Sequence, residues 1–171
     1  MKYIMLSILC FILYGFSYPT PTKEKNMLFY IQRSKNKNTV IYQANYDSNG
    51  WLDPLKPVNI YWRLYEEGEK VEALNRIEKK YAYGLETYLE RNNTFRVMLV
   101  AHKEVVLKLI QKKPFQAKVY WKEKGEEMQS LHHLFIHADD SALWPKVSSI
   151  EIFTFLTNSN TLQKRTVMVP D

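Results

Sequence analysis

The chain has 171 residues, and 46% of them are hydrophobic, which is enough to bury the core of one domain. Its formal net charge is +6, but Lys and Glu are interspersed without a block of like charges, so a solvated surface is favoured over a nucleic-acid-binding tail. A single cysteine, Cys10, excludes a disulfide framework within the chain.

The first residues have the pattern of an export signal. Lys2 supplies a positive charge, residues 3–16 are uncharged and apolar, and Gly15 and Ser17 place small residues where a signal peptidase cuts. We expect cleavage after Ser17, which also removes Cys10 and leaves a mature chain without a thiol. The apolar run is shorter than the roughly twenty residues that span a bilayer as a helix, and an uncleaved anchor is the alternative.

The sequence predicts three segments. A signal peptide covers residues 1–17, and a mobile leader, broken by Pro19 and Pro21, covers residues 18–26. Residues 27–171 form a single β-rich domain. After signal cleavage no transmembrane segment remains, so we expect an exported protein that is periplasmic or extracellular.

Short runs of aromatic and β-branched residues between polar turns predict a domain made mainly of strands. The predicted strands are 27–33, 39–46, 58–65, 85–90, 95–101, 105–111, 115–122, 131–137, 150–156 and 166–169. One helix is predicted over residues 71–82 and would lie on the sheet, because apolar side chains recur there at helical spacing: Val71, Leu74, Ile77 and Tyr81. Gly84 is its predicted end.

These elements predict an α+β fold dominated by antiparallel sheet. Strands that are apolar on both faces, such as 95–101 and 150–156, need cover on both sides. We therefore expect a curved sheet or partly closed barrel of about nine or ten strands with one helix against it. A two-layer sandwich is the alternative.

Four stretches of the sequence carry a resemblance to a known family: residues 28–45, 49–54, 60–62 and 81–84. They resemble an uncharacterised domain-of-unknown-function family of small exported bacterial proteins, found largely in Bacteroidetes. The resemblance covers residues 28–84. It implies export and a single domain, and it implies no activity and no site residues.

Histidines and acidic residues at one predicted strand end are the candidates for catalysis. His137 with Asp139 or Asp140 would form an acid–base pair, because a carboxylate can orient an imidazole and raise its pKa. Strand alternation predicts that His133 and His137 share a face while His132 points to the other. His133 and His137 would then be about 13 Å apart, too far to hold one metal ion, so no metal site is predicted. A surface strand ending in a polar turn is the alternative.

Aromatic residues are the candidates for ligand contacts, and those singled out are Trp51, Tyr61, Trp62, Tyr120, Trp121 and Trp144. Neighbouring residues on a strand point to opposite faces, so one of Tyr61 and Trp62 enters the core while the other faces outward. The same holds for the pair at 120–121. Exposed Trp and Tyr side chains are typical of contacts to sugars, lipid head groups or proteins.

The sequence contains neither a Gly-x-Ser-x-Gly motif nor a glycine-rich phosphate loop. We therefore expect no cofactor and favour a non-catalytic function, namely an exported module that binds a ligand, a glycan or an envelope protein. A hydrolase or isomerase that uses the His/Asp pair and a structural or assembly factor of the cell envelope are the alternatives. Nucleic acid is not an expected partner of an exported protein.

Overall fold

A computed structural model describes residues 24–33, 38–123, 125–139, 146–156 and 159–169. The strands and the α-helix are β1 (Met27–Arg33), β2 (Thr39–Ala44), β3 (Val58–Leu64), β4 (Lys70–Ala73), α1 (Arg76–Tyr81), β5 (Leu85–Arg91), β6 (Thr94–Leu99), β7 (His102–Gln111), β8 (Ala117–Trp121), β9 (Gln129–Asp139), β10 (Lys146–Phe155) and β11 (Leu162–Met168), and a short 3₁₀ helix (Tyr65–Glu67) follows β3. None of the described helices is long and apolar enough to span a bilayer.

All the described strands belong to one sheet that curls into a half-barrel. Its order is β4-β3-β2-β1-β9-β8-β7-β6-β5, and β10 and β11 branch from β9. Among the described strands, only β1 and β9 pair in parallel. The predicted α+β class with a curved, mainly antiparallel sheet is confirmed.

The helix is shorter than its predicted range of 71–82. Its first part is strand β4, which pairs with the edge of β3, and α1 begins after Asn75. The Asn75 side chain accepts a hydrogen bond from the Glu78 N–H, while the Glu78 carboxylate accepts one from the Asn75 N–H. This capping box favours a helix start at that point, and the open edge of β3 provides hydrogen-bond partners for the preceding residues.

The predicted apolar stripe of the helix does not pack on the sheet as a unit. Leu74 is buried, whereas Val71, Ile77 and Tyr81 are more than half exposed. A helix of six residues has fewer than two turns and cannot present a continuous stripe. The segment ends at Gly84, where a Cβ would lie 1.8 Å from the Lys79 carbonyl oxygen, so only glycine fits.

The inner face of the curled sheet carries the main apolar core, to which the strands contribute alternate residues. Phe29 and Tyr42 stack there with ring centroids 4.3 Å apart, and the Tyr42 hydroxyl donates to the Tyr83 carbonyl oxygen at 2.7 Å. Tyr30 and Ile41 point to the opposite side, which we call the outer face. This alternation places β1 and β2 residues on two different surfaces and positions the site described next.

Candidate functional site

The strands β1 and β8 both pair with the same edge of β9. A strand has two edges, and β10 occupies one of them along residues 130–139 of β9. On the other edge, β8 pairs with residues 129–130 and β1 pairs with residues 133–136. Between these stretches, residues 131–132 pair with neither β1 nor β8. The sheet is therefore split at this place.

A groove of about 1020 Å³ lies over the split. It is lined by Ser130 and His132 of β9, by Leu28 of β1 and by Tyr120 of β8. Phe155 contributes a ring from β10. The volume is at the upper end of the range that is usual for small-molecule sites, and the mixture of aromatic and polar lining residues is typical of them.

A β-bulge in β9 reverses the expected direction of one histidine. Phe153 pairs with His133 and Thr154 pairs with Leu131, so His132 is an extra residue with no partner on β10. The side chains of His132 and His133 consequently meet, with their Nδ1 atoms 2.6 Å apart. The prediction that these side chains point to opposite faces is wrong, because strict alternation holds only in a regular strand.

His133 lies between two aromatic rings on the outer face. Its ring is parallel to that of Tyr30, with centroids 4.8 Å apart, and to that of Phe153, at 4.1 Å. The register of β1, β9 and β10 places these three residues opposite one another. Burial, assisted by the neighbouring His132, lowers the pKa of His133 to about 4, while Glu151 acts in the opposite direction. The ring is therefore neutral at neutral pH.

The groove carries little net charge. Burial lowers the pKa of His132 below its usual value and raises the pKa of Tyr30 to about 12, so both side chains are uncharged at neutral pH. Glu24 also lines the groove, and its carboxylate is held by Arg63, whose Nε donates at 2.6 Å. Lys118 lines the groove as an exposed residue.

Phe115 stands at the rim of the groove in a backbone conformation that is unusual for a residue with a side chain. Its φ is +58°, and 58% of its surface is exposed. Its N–H donates to the Gly50 carbonyl at 2.8 Å, and its ring contacts Tyr46 edge to face at 5.4 Å. Non-glycine residues with such backbone angles concentrate at functional sites. Sequence reasoning placed Phe115 in a strand, and the turn signal that could have corrected this is the preceding Pro114.

Gln111 fastens the loop that carries Gly50 to the end of β7. Its Oε1 accepts a hydrogen bond from the Leu52 N–H at 2.7 Å. Its Nε2 donates to the Gly50 carbonyl at 2.7 Å and to the Lys113 carbonyl at 3.0 Å. Since Gln111 is 4% exposed, these bonds are shielded from water and hold the rim of the groove in place.

One of the predicted ligand-contact residues, Tyr120, lines the groove. Its neighbour Trp121 is buried in the inner core, and Trp62 packs against the same core. The Trp62 ring contacts Tyr83 edge to face, and its Nε1 donates to the Glu78 carboxylate at 3.2 Å. These two tryptophans therefore act in packing.

Tyr61 and Trp51, two further predicted contact residues, are not among the residues that line the groove. Tyr61 is on the outer face, where its phenol donates to the Glu24 carboxylate. Trp51 is half-buried in a turn, and its backbone N–H donates to the Asp47 carboxylate at 2.8 Å. Trp144 lies outside the described residues.

The histidine of the predicted acid–base pair is on the outer face, and it is not one of the residues that line the groove. His137 Nε2 lies 3.5 Å from the Glu151 carboxylate, which also binds Lys164 at 2.9 Å. Asp139 is the last residue of β9, and Asp140 lies outside the described residues. The carboxylate found beside His137 is thus that of Glu151, and a role for the aspartates stays a prediction. Within the described part of the chain, no group of three or more His, Cys, Asp or Glu side chains could hold a metal ion.

The comparison with protein families finds a family for the sequence, but that family has no known activity. A family model described as a domain of unknown function (DUF4833) matches residues 29–165. The match extends beyond the resemblance over residues 28–84 and includes the whole of β8 and β9. No curated protein and no solved structure matches the chain. The resemblance to an uncharacterised family is confirmed, and its bacterial origin stays a prediction.

Proposed function

We propose that the chain, which belongs to the DUF4833 family, is an exported binding module that holds its ligand in the groove between β1 and β8. The observation that carries this proposal is the groove itself. A sheet pairs its backbone groups most fully when it is continuous, so a split lined by aromatic and polar side chains is a feature that packing alone does not require.

The construction of the rim supports the same proposal. Phe115 keeps a large apolar surface exposed at the cost of an unfavourable φ angle, and Gln111 uses its side-chain amide to hold the loop beneath it. An exposed aromatic ring on a strained but rigidly supported backbone has the properties of a contact residue. Binding of a ligand to such a ring requires little further loss of conformational freedom.

Sedimentation with insoluble envelope material from the producing cell tests the binding function. We expect the protein to sediment with this material. Phe115→Ala and Tyr120→Ala should each reduce the bound fraction by roughly tenfold, because each removes an aromatic contact. Tyr88→Ala is the matched control, because Tyr88 is a comparably exposed aromatic residue on β5, away from the groove lining. If both groove variants sediment like the unmodified protein, the groove is not the binding site.

Export is proposed from the composition of residues 1–17. Mass spectrometry of the protein recovered from the producing cell should find a chain that begins at Tyr18, in the envelope or the medium. A chain that begins at Met1 and is recovered from the cytosol would contradict export and, with it, the choice of envelope material as a source of ligand.

A further inference from the structure

The lining of the groove combines aromatic rings with uncharged polar groups. Tyr46 and Phe115 contact each other at one place on its lining, and Tyr120 and Phe155 come from β8 and β10. Aromatic rings offer flat apolar faces on which other flat apolar surfaces can stack. The C–H faces of a pyranose ring are such surfaces.

The uncharged polar residues of the lining can both donate and accept hydrogen bonds. Ser130, His132, Asn26 and Asn160 line the groove with hydroxyl, imidazole and amide groups. A sugar also presents groups that donate and accept at once. An acyl chain, by contrast, would leave these groups without partners, and each buried unpaired group costs about 1–3 kcal/mol.

The charges along the groove disfavour charged ligands. Glu24 is already paired with Arg63, so a cationic ligand would have to compete with a guanidinium for this carboxylate. An anionic ligand would find Lys118, whose charge is solvated because the side chain is exposed. An uncharged ligand disturbs neither the pair of Glu24 and Arg63 nor the hydration of Lys118.

We infer that the groove takes an uncharged oligosaccharide, which stacks on Phe115 and Tyr120 and hydrogen-bonds to Ser130 and Asn26. The inference rests on the proposed function of the groove and assigns its ligand class. A volume of about 1020 Å³ has room for several pyranose rings, so short oligomers should bind more tightly than monosaccharides.

Nuclear magnetic resonance titration of the ¹⁵N-labelled protein tests the ligand class. The probes are maltotetraose, cellotetraose and chitotetraose as uncharged sugars, tetragalacturonate as a charged sugar, and N-phenyl-1-naphthylamine as an apolar compound. We expect at least one uncharged tetrasaccharide to shift the amide signals of Ser130, His132 and Tyr120. The charged and apolar probes should not shift them.

Variants separate stacking from hydrogen bonding. Phe115→Ala should weaken binding of the tetrasaccharide by roughly tenfold, and Phe115→Tyr should retain it because the ring is kept. Ser130→Ala removes one hydroxyl and should weaken binding by about two- to tenfold. Tyr88→Ala should bind as the unmodified protein does.

The outcomes distinguish the ligand class from the function. If only the apolar or the charged probe shifts the three amides, the inference of an uncharged sugar is wrong and the groove remains a ligand site. If no probe shifts them but Phe115→Ala still reduces sedimentation with envelope material, the sugar is again the wrong class. If no probe shifts them and the groove variants sediment normally, the inference and the proposed function both fail.

Discussion

Phe115 lies so close to Gly50 that a Cβ atom on residue 50 would be 2.5 Å from the phenyl ring. The two residues are also joined by the hydrogen bond from the Phe115 N–H to the Gly50 carbonyl. Both have a positive φ, of +80° at Gly50 and +58° at Phe115. The ring thus occupies the space that a side chain on residue 50 would need, and the rim of the groove depends on a glycine there.

Gly50→Ala should therefore destabilise the protein more than an ordinary substitution of a turn glycine. The alanine is strained at this φ by about 1–2 kcal/mol, and displacement of the ring adds to that cost. Gly68→Ala is the matched control, since Gly68 has a φ of +73° and no atom lies within 4 Å of the place that a Cβ would take. Urea unfolding measures both, and equal losses of stability would contradict the contact between Gly50 and Phe115.

Gln111→Ala should lower the free energy of unfolding by about 2–4 kcal/mol. The substitution removes three hydrogen bonds and leaves the Leu52 N–H and the Gly50 carbonyl without this partner in a region shielded from water. Gln43→Ala is the comparison, because the Gln43 amide makes one exposed hydrogen bond, to the Lys25 carbonyl. A loss at position 111 no greater than that at position 43 would show that the amide does not hold the loop.

The protein should lose stability as the pH falls from about 7.5 to about 5, in part because of His133. The folded-state pKa of about 4 is below the ordinary value of 6.5, so the unfolded chain binds a proton that the folded protein does not. The stabilising effect is complete above the unfolded pKa and is lost between 6.5 and 4. Between about pH 7.5 and about pH 5, protonation of this histidine in the unfolded chain lowers the free energy of unfolding by about 2 kcal/mol.

The variant His133→Phe isolates this effect from other titrating groups. A phenyl ring can keep the stack between Tyr30 and Phe153, and it cannot take up a proton. Urea unfolding at the two pH values should therefore show a smaller loss in the variant than in the unmodified protein. Identical pH dependence in both proteins would mean that His133 titrates normally in the folded state.

Glu24→Gln should destabilise the protein by about 1 kcal/mol, because it leaves the Arg63 guanidinium without its charged partner in a partly buried position. The same carboxylate accepts from the Tyr61 phenol, so the variant weakens two contacts of β3. Thermal unfolding measures the change. Lys70→Gln breaks exposed ion pairs with Glu67 and Glu72 and should have no measurable effect. If the two variants behave alike, the contact with Glu24 is no stronger than a surface pair.

Local sequence pattern determined the strands and the direction of most of their side chains. Each predicted strand overlaps an observed one, and the pairs at 61–62 and 120–121 place their tryptophans inward and their tyrosines outward. The physical reason is that strand propensity and alternation depend on residues one and two positions apart. The proposal that the protein is exported likewise rests on composition alone.

Pairing between distant segments decided the rest. The groove exists because β1 and β8 share one edge of β9, although β1 and β9 are about a hundred residues apart in sequence. The bulge that brings the side chains of His132 and His133 together depends on the register of β9 with β10. The Phe115 ring has room only because the residue it packs against in a distant loop, Gly50, has no side chain. Such relationships arise from hydrogen bonds and steric fit between separate parts of the chain, so only the tertiary structure determines them.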